Sequence, residues 1–141
     1  MNLNLCQTIH LPSYKDDRGS LTFLESCNHI PFEIKRIYYL YDLDVFKKRG
    51  YHAHKKLKQV IIALSGRFEI YLNDGEKDKT ISLESPNIGL FICPMIWREI
   101  KSLSSKSICL VMASEKYQES DYIRNFKEFL KLSSTNENPI S

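Results

Sequence analysis

The sequence predicts an all-β protein, a sandwich or barrel of short strands with one helix near the carboxyl end. Apolar residues recur with a period of two along most of the chain, which is typical of strands with one buried face. Turn signals separate these segments at regular spacing, as expected when short strands pack in two layers. The 141 residues are enough for one domain with a sizeable core.

Each predicted strand rests on alternation or on a short apolar run that ends in a turn. Residues 33–43 alternate and are rich in aromatic and β-branched side chains, which favour strands. Residues 67–73 alternate and end in the hairpin signal Asn73-Asp74-Gly75. The other predicted strands are 3–9, 58–65, 80–83, 88–92, 96–101 and 106–113.

The end of the chain changes to a helical period. A helix is predicted over about 121–132, capped by Ser120 or Asp121, and its apolar stripe is expected to pack on a sheet or a partner subunit. We therefore expect a single domain over residues 1–133, followed by a frayed tail over 134–141.

Composition argues against several classes of function. The net charge of +3 is small and the basic residues are scattered, which disfavours nucleic-acid binding. The amino-terminal residues are too polar for a signal peptide, and no apolar run could span a bilayer, so the cytoplasm is the expected location. The four cysteines have no metal-site spacing and are expected to be reduced thiols, with Cys93 and Cys109 in the core.

Two histidines, His52 and His54, are the feature of this sequence that points to chemistry. Residues i and i+2 of a strand project from the same face, so both imidazoles can act on one ligand. Histidine moves protons near neutral pH and also binds metals. A divalent transition metal usually takes three or more His, Cys, Asp or Glu donors, whereas Gln59 is a neutral amide and Arg98 a fixed cation. Proton transfer is therefore favoured, with Glu99 as the candidate third ligand for a metal and two purely structural histidines as the remaining alternative.

The spacing Gly50-x-His52-x-His54-x4-Gln59-x6-Gly66 resembles the first motif of the cupin superfamily. In metal-binding cupins, the position of Gln59 holds a glutamate ligand, and a second motif supplies another histidine. The corresponding stretch here, from Gly89 to Glu99, contains no histidine. The resemblance implies a cupin jelly roll, or double-stranded β-helix.

Longer blocks resemble the sugar-nucleotide 3,4-ketoisomerases, which are metal-independent cupins. These blocks are Asp17-Arg18-Gly19-Ser20-Leu21, Pro31-Phe32-x-Ile34-Lys35-Arg36-x-Tyr38-Tyr39, Arg49-Gly50-Tyr51-His52-Ala53-His54-Lys55-Lys56, Pro94-x-x-Trp97-x-Glu99 and Ser120-Asp121-Tyr122-Ile123-Arg124. The resemblance implies an isomerase that converts dTDP-4-keto-6-deoxy-D-glucose to a dTDP-3-keto-6-deoxyhexose through an enediol. Neither a metal nor an organic cofactor is expected, and the sequence has no glycine-rich dinucleotide fingerprint.

Roles for individual residues follow from this resemblance. His52 and His54 match the catalytic pair. We expect His54 to take the carbon proton and His52 to shuttle a proton between the two oxygens, with exchanged roles left open. The expected substrate-binding residues are Arg18, Arg36, Tyr38, Arg49, Lys55, Gln59, Trp97, Arg98 and Glu99. Arginines suit the diphosphate and aromatic rings suit thymine. Arg18 with Arg98 fits neither the galacto-forming nor the gluco-forming members fully, although Arg98 favours the gluco product.

The resemblance also implies partners and a biological setting. It indicates a homodimer in which strands can be exchanged, and a PLP-dependent aminotransferase as the next enzyme. The product would serve 3-amino-3,6-dideoxyhexoses of surface glycans such as the O-antigen of lipopolysaccharide. A dTDP-sugar epimerase, a non-catalytic sugar-nucleotide-binding cupin and a metal-dependent dioxygenase are the alternatives.

Overall fold

The computed structural model describes residues 2–136, which form antiparallel sheets followed by one α-helix. A short 3-10 helix, Asn2–Leu5, precedes the first strand. The strands are β1 Thr8–His10, β2 Ser13–Asp16, β3 Gly19–Thr22, β4 Arg36–Leu40, β5 Lys48–His54, β6 Gln59–Ser65, β7 Phe68–Asn73, β8 Asp78–Leu83, β9 Ile88–Ile92, β10 Trp97–Ser102, β11 Ile108–Ala113 and β12 Tyr122–Ile123. The helix is α1, Phe126–Asn136.

Two five-stranded sheets carry the fold. The first has the strand order β1-β9-β6-β11-β4, the second has the order β12-β5-β10-β7-β8, and β2 and β3 form a separate two-stranded ribbon. Every strand pair is antiparallel. The prediction of an all-β jelly roll with a short C-terminal helix is confirmed.

The main core lies between the two sheets and follows from the alternation in the sequence. Phe68, Ile70 and Leu72 of β7 are fully buried there, together with Ile61 of β6 and Val111 of β11. Burying a side chain of this size stabilises the fold by about 1.5–3 kcal/mol. The central alternating strands therefore specify both the sheets and their packing.

The second sheet is buried on its outer face as well. Helix α1 packs there through Phe129, which forms a cluster with Ala53 of β5, Trp97 of β10 and Ile123 of β12. Over this stretch, β5 and β10 are therefore buried on both faces, by the first sheet on one side and by α1 on the other.

The carboxyl-terminal helix begins later than predicted. Asn125, and not Ser120 or Asp121, caps it, because Asn125 Oδ1 accepts the Glu128 N–H at 2.9 Å. Residues 122–123 instead pair with β5 as the short strand β12. The helix extends to Asn136, so residues 134–136 are helical, and the rest of the predicted tail, 137–141, lies outside the described residues.

The amino-terminal part also differs from the prediction. The expected strand over 3–9 is a 3-10 turn followed by the short strand β1, and the ribbon of β2 and β3 was not predicted. All four cysteines are free thiols, and Cys93 and Cys109 are buried as predicted. Within residues 2–136, no helix has the length and apolar character needed to cross a membrane.

Candidate active site

A backbone irregularity in β5 aims the two histidines into the space between the sheets. Gly50 and Tyr51 have positive φ angles of 96° and 55°, and the register with β10 shifts between Arg98 and Glu99. A Cβ atom on Gly50 would lie 3.0 Å from the Arg98 carbonyl oxygen, so the close approach of the strands favours glycine there. His52 lies opposite Arg98 across the two strands.

The imidazoles of His52 and His54 form an edge-to-face pair with ring centroids 4.9 Å apart. His52 Nδ1 lies 3.0 Å from the Gly50 carbonyl oxygen, and His54 Nδ1 lies 3.1 Å from Asp121 Oδ2. Both partner oxygens can only accept, which assigns the ring hydrogen to Nδ1 in each case. Each Nε2 atom therefore carries a lone pair, and neither has a partner among the described residues.

Both histidines are held in the neutral form. Burial lowers the pKa of His52 from its ordinary 6.5 to about 4, and the positive charge of Arg98 adds to the effect. Burial and then Arg98 also lower the pKa of His54, whose side chain has no exposed surface. At neutral pH the site therefore presents two unprotonated Nε2 atoms, which are able to act as bases.

A hydrogen-bond chain lies beside the histidines. Arg98 Nη1 donates to Gln59 Oε1, Arg98 Nη2 donates to the Ile96 carbonyl at 2.9 Å, and Gln59 Nε2 donates to Tyr38 Oη at 3.0 Å. Burial raises the pKa of Tyr38. Because Gln59 is engaged by a cation, this donor set does not fit a divalent metal. Residues 2–136 contain no group of three or more His, Cys, Asp or Glu able to hold one.

An arginine-rich cavity of about 320 Å³ opens in front of His52. It is lined by Arg36, Tyr38, Leu40, Arg49, Gly50, His52, Ile100, Tyr122 and Arg124. Arg36 Nε and Nη2 are buried without a partner among the described residues, so they are free to bind an anionic ligand. The sequence-predicted Arg36, Tyr38, Arg49 and His52 thus meet in one cavity.

The segment after β11 supplies site residues that were not among the catalytic and substrate-binding residues predicted from the sequence. The centroid of the Tyr122 ring lies 5.0 Å from that of His52 and 4.3 Å from that of His54. The Arg124 guanidinium carbon, Cζ, lies over the same ring, 4.2 Å from its centroid. Asp121, expected as a helix cap, holds His54 instead. The signal for all three was the block Ser120-Asp121-Tyr122-Ile123-Arg124, which carried part of the family resemblance.

Trp97 and Glu99 lie on the outer face of the second sheet, away from the cavity in which they were expected. Trp97 packs on Phe126 and Phe129, with ring centroids 5.1 and 5.9 Å apart, and its Nε1 donates to Glu99 Oε2 at 3.1 Å. Glu99 also accepts from Lys48 Nζ at 3.2 Å. On this face, Glu99 cannot complete a metal site with the histidines.

Lys55 and Arg18 do not line the cavity either. Lys55 is exposed just after β5, and its backbone N–H donates to the Asp121 carbonyl at 2.9 Å. Arg18 is at the turn of the β2–β3 ribbon, where its side chain is 87% exposed and pairs with Asp16 at 2.8 Å.

Fold and site together define a small cupin in which an arginine-lined cavity opens in front of His52, with the neutral imidazole of His54 beside it. This arrangement is suited to proton transfer on an anionic ligand. The chain belongs to the family described as FdtA: WxcM-like, C-terminal, whose model matches residues 4–134.

Characterised relatives cover nearly the whole chain. A TDP-4-oxo-6-deoxy-alpha-D-glucose-3,4-oxoisomerase from Aneurinibacillus thermoaerophilus is 42% identical over 89% of this chain and 90% of its own. QdtA, a sugar 3,4-ketoisomerase from Thermoanaerobacterium thermosaccharolyticum solved with TDP, is 40% identical, with a TM-score of 0.90 over 93% of this chain and 96% of its own. The WlaRB TDP-quinovose 3,4-ketoisomerase from Campylobacter jejuni is 48% identical, with a TM-score of 0.85 over 89% and 97%.

Proposed function

We propose that this protein is a sugar-nucleotide 3,4-ketoisomerase that converts dTDP-4-keto-6-deoxy-D-glucose to a dTDP-3-keto-6-deoxyhexose. The observation that carries the proposal is the pair of neutral histidines with unpartnered Nε2 atoms, His52 and His54, beside a cavity lined by Arg36, Arg49 and Arg124. The relatives named for this reaction support the substrate class.

The reaction needs two proton relays and no net oxidation. One imidazole Nε2 removes the proton on C3, and the C3–H electrons form the C3–C4 double bond of an enediolate whose negative charge lies on the C4 oxygen. The second imidazole takes the proton of the C3 hydroxyl and gives it to the C4 oxygen. The ketone then forms at C3 while the first imidazole returns its proton to C4. Two adjacent bases, both able to cycle between neutral and protonated forms, meet this requirement.

We assign the carbon proton to His54 and the oxygen protons to His52. The carboxylate of Asp121 is 3.1 Å from His54 Nδ1 and stabilises the imidazolium formed when a carbon proton is taken. The Gly50 carbonyl gives His52 only a dipole in the same role. Replacing either histidine with asparagine and following deuterium exchange at C3 tests the assignment, because only the carbon base is needed for exchange.

The mouth of the cavity suits the nucleotide diphosphate. Arg36 and Arg49 provide charged donors, and a guanidinium binds phosphate oxygens with two parallel hydrogen bonds. Arg124 also lines the cavity, but its Nε and Nη2 donate to Glu119 at 2.8 and 2.9 Å. Tyr38 and Tyr122 provide apolar ring surface between the arginines and the histidines. We therefore orient the substrate with its hexose toward His52 and its phosphates toward the opening.

We also propose the gluco configuration at C4 of the product. Arg98 favours this outcome, and the relative named for TDP-quinovose, a 6-deoxyglucose, is 48% identical, whereas the WlaRA TDP-fucose-3,4-ketoisomerase from Campylobacter jejuni is 32% identical. The proton on C4 would then be delivered from the face that places the new hydroxyl equatorially.

NMR of the product formed in deuterated water tests the function and the configuration together. We expect the carbonyl at C3, deuterium at C4 and the gluco coupling pattern. A carbonyl that stays at C4 while deuterium enters at C3 or C5 would indicate an epimerase, and dTDP binding without any exchange would indicate a non-catalytic cupin. Stoichiometric iron with loss of activity on chelation would support a dioxygenase.

A homodimer is the proposed assembly. The β2–β3 ribbon is exposed along nearly its whole length, including Tyr14 and Leu21 at 63% and 59% exposure. The outer face of the first sheet also exposes Tyr39 and Leu64, at 61% and 44%. A second copy covering both surfaces, with exchanged strands, would bury this apolar area and could bring Arg18 to its partner's cavity. Sedimentation equilibrium tests the assembly, and a monomer at micromolar concentration would refute it.

The product has the chemistry that a PLP-dependent aminotransferase requires, a ketone that can form a Schiff base at C3. We infer a role in supplying 3-amino-3,6-dideoxyhexoses for surface glycans such as the O-antigen of lipopolysaccharide, with the reaction in the cytoplasm. A coupled assay with such an aminotransferase should yield the 3-amino sugar only when this protein is present.

A further inference from the structure

Arg98 is a buried cation that forms no ion pair with a carboxylate among residues 2–136. Its side chain is 1% exposed, and its hydrogen-bond acceptors, Gln59 Oε1 and the Ile96 carbonyl, are both neutral. Arg98 Nε has no partner, and none of the ion pairs among residues 2–136 includes this guanidinium. The described part of the chain therefore supplies no carboxylate that neutralises this charge, and the titratable groups that act on it are Tyr38, Tyr122 and the buried thiol pair of Cys6 and Cys93.

Such an arrangement opposes folding. A buried charge normally lies beside an opposite charge, because the desolvation penalty of several kcal/mol is otherwise uncompensated. The hydrogen bonds that Arg98 donates to the uncharged oxygens of Gln59 and Ile96 fix the direction of the guanidinium but leave its charge intact. A compensating negative charge that forms only during the reaction would give this arrangement a function.

The guanidinium acts on the reacting part of the site. Arg98 lies opposite His52 in the β5–β10 register, and its charge is the second largest cause, after burial, of the lowered pKa of both His52 and His54. Its field therefore reaches the space between the two imidazoles, where the substrate oxygens would lie. In such a low-dielectric setting a fixed charge interacts more strongly than in water.

We propose that Arg98 supplies the positive charge that stabilises the enediolate formed between the two histidines, using its unpartnered Nε–H toward the C4 oxygen. This inference rests on the proposed ketoisomerase function. When the C3 proton leaves, negative charge accumulates on the C4 oxygen, and a preorganised donor is most effective at that point. The group would lower the barrier for forming the enediol without changing how the nucleotide is held.

The substitution Gln59→Glu tests the charge while keeping the side-chain shape. The new carboxylate would contact Arg98 directly and neutralise it with an ion pair. If Arg98 stabilises the enediolate, kcat should fall by about 10²–10³-fold, as after loss of an oxyanion-hole donor. The Kd for dTDP should stay unchanged, because the phosphates bind at the cavity mouth.

The pH dependence separates this role from a structural one. Neutralising Arg98 removes a cause of the low pKa of His52, so the acid limb of kcat/KM should move to higher pH. The loss in kcat must persist on the alkaline plateau, where both histidines are neutral. If Arg98 is only a support for Gln59, the ion pair should leave plateau turnover unchanged or raise the melting temperature alone. That result would overturn the proposal.

Two further variants keep the test independent of one substitution. Arg98→Lys retains the charge and should keep most of the plateau kcat, whereas Arg98→Met should lose about as much as Gln59→Glu. Equal losses in the Lys and Met variants, with dTDP binding and melting temperature preserved, would show that the charge is not the active element. All assays contain a chelator, because a new carboxylate beside two histidines could bind a metal. Wild-type turnover, measured first, tests the ketoisomerase function separately.

Discussion

Replacing Asp121 with asparagine should strongly reduce turnover without weakening the binding of dTDP in the cavity. The Asp121 carboxylate accepts three hydrogen bonds, from His54 Nδ1, from the Lys56 N–H at 2.8 Å and from the Leu57 N–H at 3.3 Å. An asparagine has one oxygen and one NH2 group in the same positions. If its oxygen keeps the shortest of these bonds, to Lys56, its NH2 group faces both His54 Nδ1 and the Leu57 N–H.

This substitution changes which tautomer of His54 is favoured. An N–H group facing Nδ1 requires the lone pair there, so the ring hydrogen moves to Nε2, the atom that must accept the carbon proton. The corresponding substitution in a serine-protease triad lowers kcat by about 10⁴-fold through the wrong tautomer. Since exchange between tautomers can restore part of the activity, we expect a loss of about 10²–10⁴-fold in kcat. Losing one charge-assisted hydrogen bond should also destabilise the fold by about 2 kcal/mol.

The assay is steady-state product formation by Asp121→Asn, together with dTDP binding by calorimetry and thermal unfolding. The Kd for dTDP should stay within about threefold of the wild type, since Arg36 and Arg49 do not contact Asp121. The matched control is Glu115→Gln, which removes a half-exposed carboxylate that pairs with Lys35 at 3.6 Å. An exposed pair of this kind contributes at most about 1 kcal/mol, so its kcat should not change.

A folded Asp121→Asn protein with wild-type kcat would refute the reasoning. It would mean either that His54 works in the other tautomer or that its protonation is not part of the slow step. A change in KM with kcat unaltered would also refute it, because the proposed role of the carboxylate is to stabilise the His54 imidazolium and not to bind the nucleotide.

Three further predictions concern the histidines and the outer face of the second sheet. His52→Asn and His54→Asn should each lower kcat by about 10²–10⁴-fold with near-native melting temperature, measured by product NMR and thermal unfolding; near-normal turnover would remove that residue from the mechanism. In wild type, the folded pKa of His52 is about 4 against 6.5 when unfolded, so the unfolded state binds more protons between these values. The contribution of His52 to the free energy of unfolding, about 3 kcal/mol, should be complete above about pH 6.5 and lost as the pH falls toward 4. Urea titrations should show a weaker pH dependence in His52→Asn, and an equal slope would contradict this. Trp97→Phe should destabilise the fold by about 1–2 kcal/mol in urea titrations but keep wild-type kcat, because Trp97 packs under Phe129 away from the cavity; a large loss of kcat in the folded variant would contradict that placement.

Strands with one buried face could be predicted from the sequence. The predicted strand 88–92 coincides with β9, and 58–65 differs from β6 by one residue. Both predictions succeed because burial between the sheets requires apolar side chains along these strands. The β2–β3 ribbon gave no such signal. Its side chains, from Ser13 to Thr22, are not buried by their own chain, so nothing imposed an alternation on them.

The site was predictable where neighbouring residues define it and not where distant ones do. The i, i+2 spacing was enough to place His52 and His54 side by side. Alternation also grouped Trp97 with Glu99, but it does not say which face of a strand points inward. Both faces of β10 are buried, so the buried cation Arg98 lies on the inner face and the aromatic Trp97 on the outer one. The contact of Asp121 with His54 joins residues 67 apart in sequence, beyond any local pattern.

The same burial that prepares the histidines as bases also makes them weak ones. An imidazole with a pKa of about 4 has little tendency to take a proton from carbon, so the acidity of C3–H must be raised by stabilising the enediolate. If Arg98 acts as proposed, its charge is offset once the enediolate forms, and the effect that held the imidazoles neutral is removed at the moment a proton arrives. The basicity of His52 and His54 should therefore be higher in the intermediate than in the free enzyme. Proton transfer and charge neutralisation would then be a single coupled event.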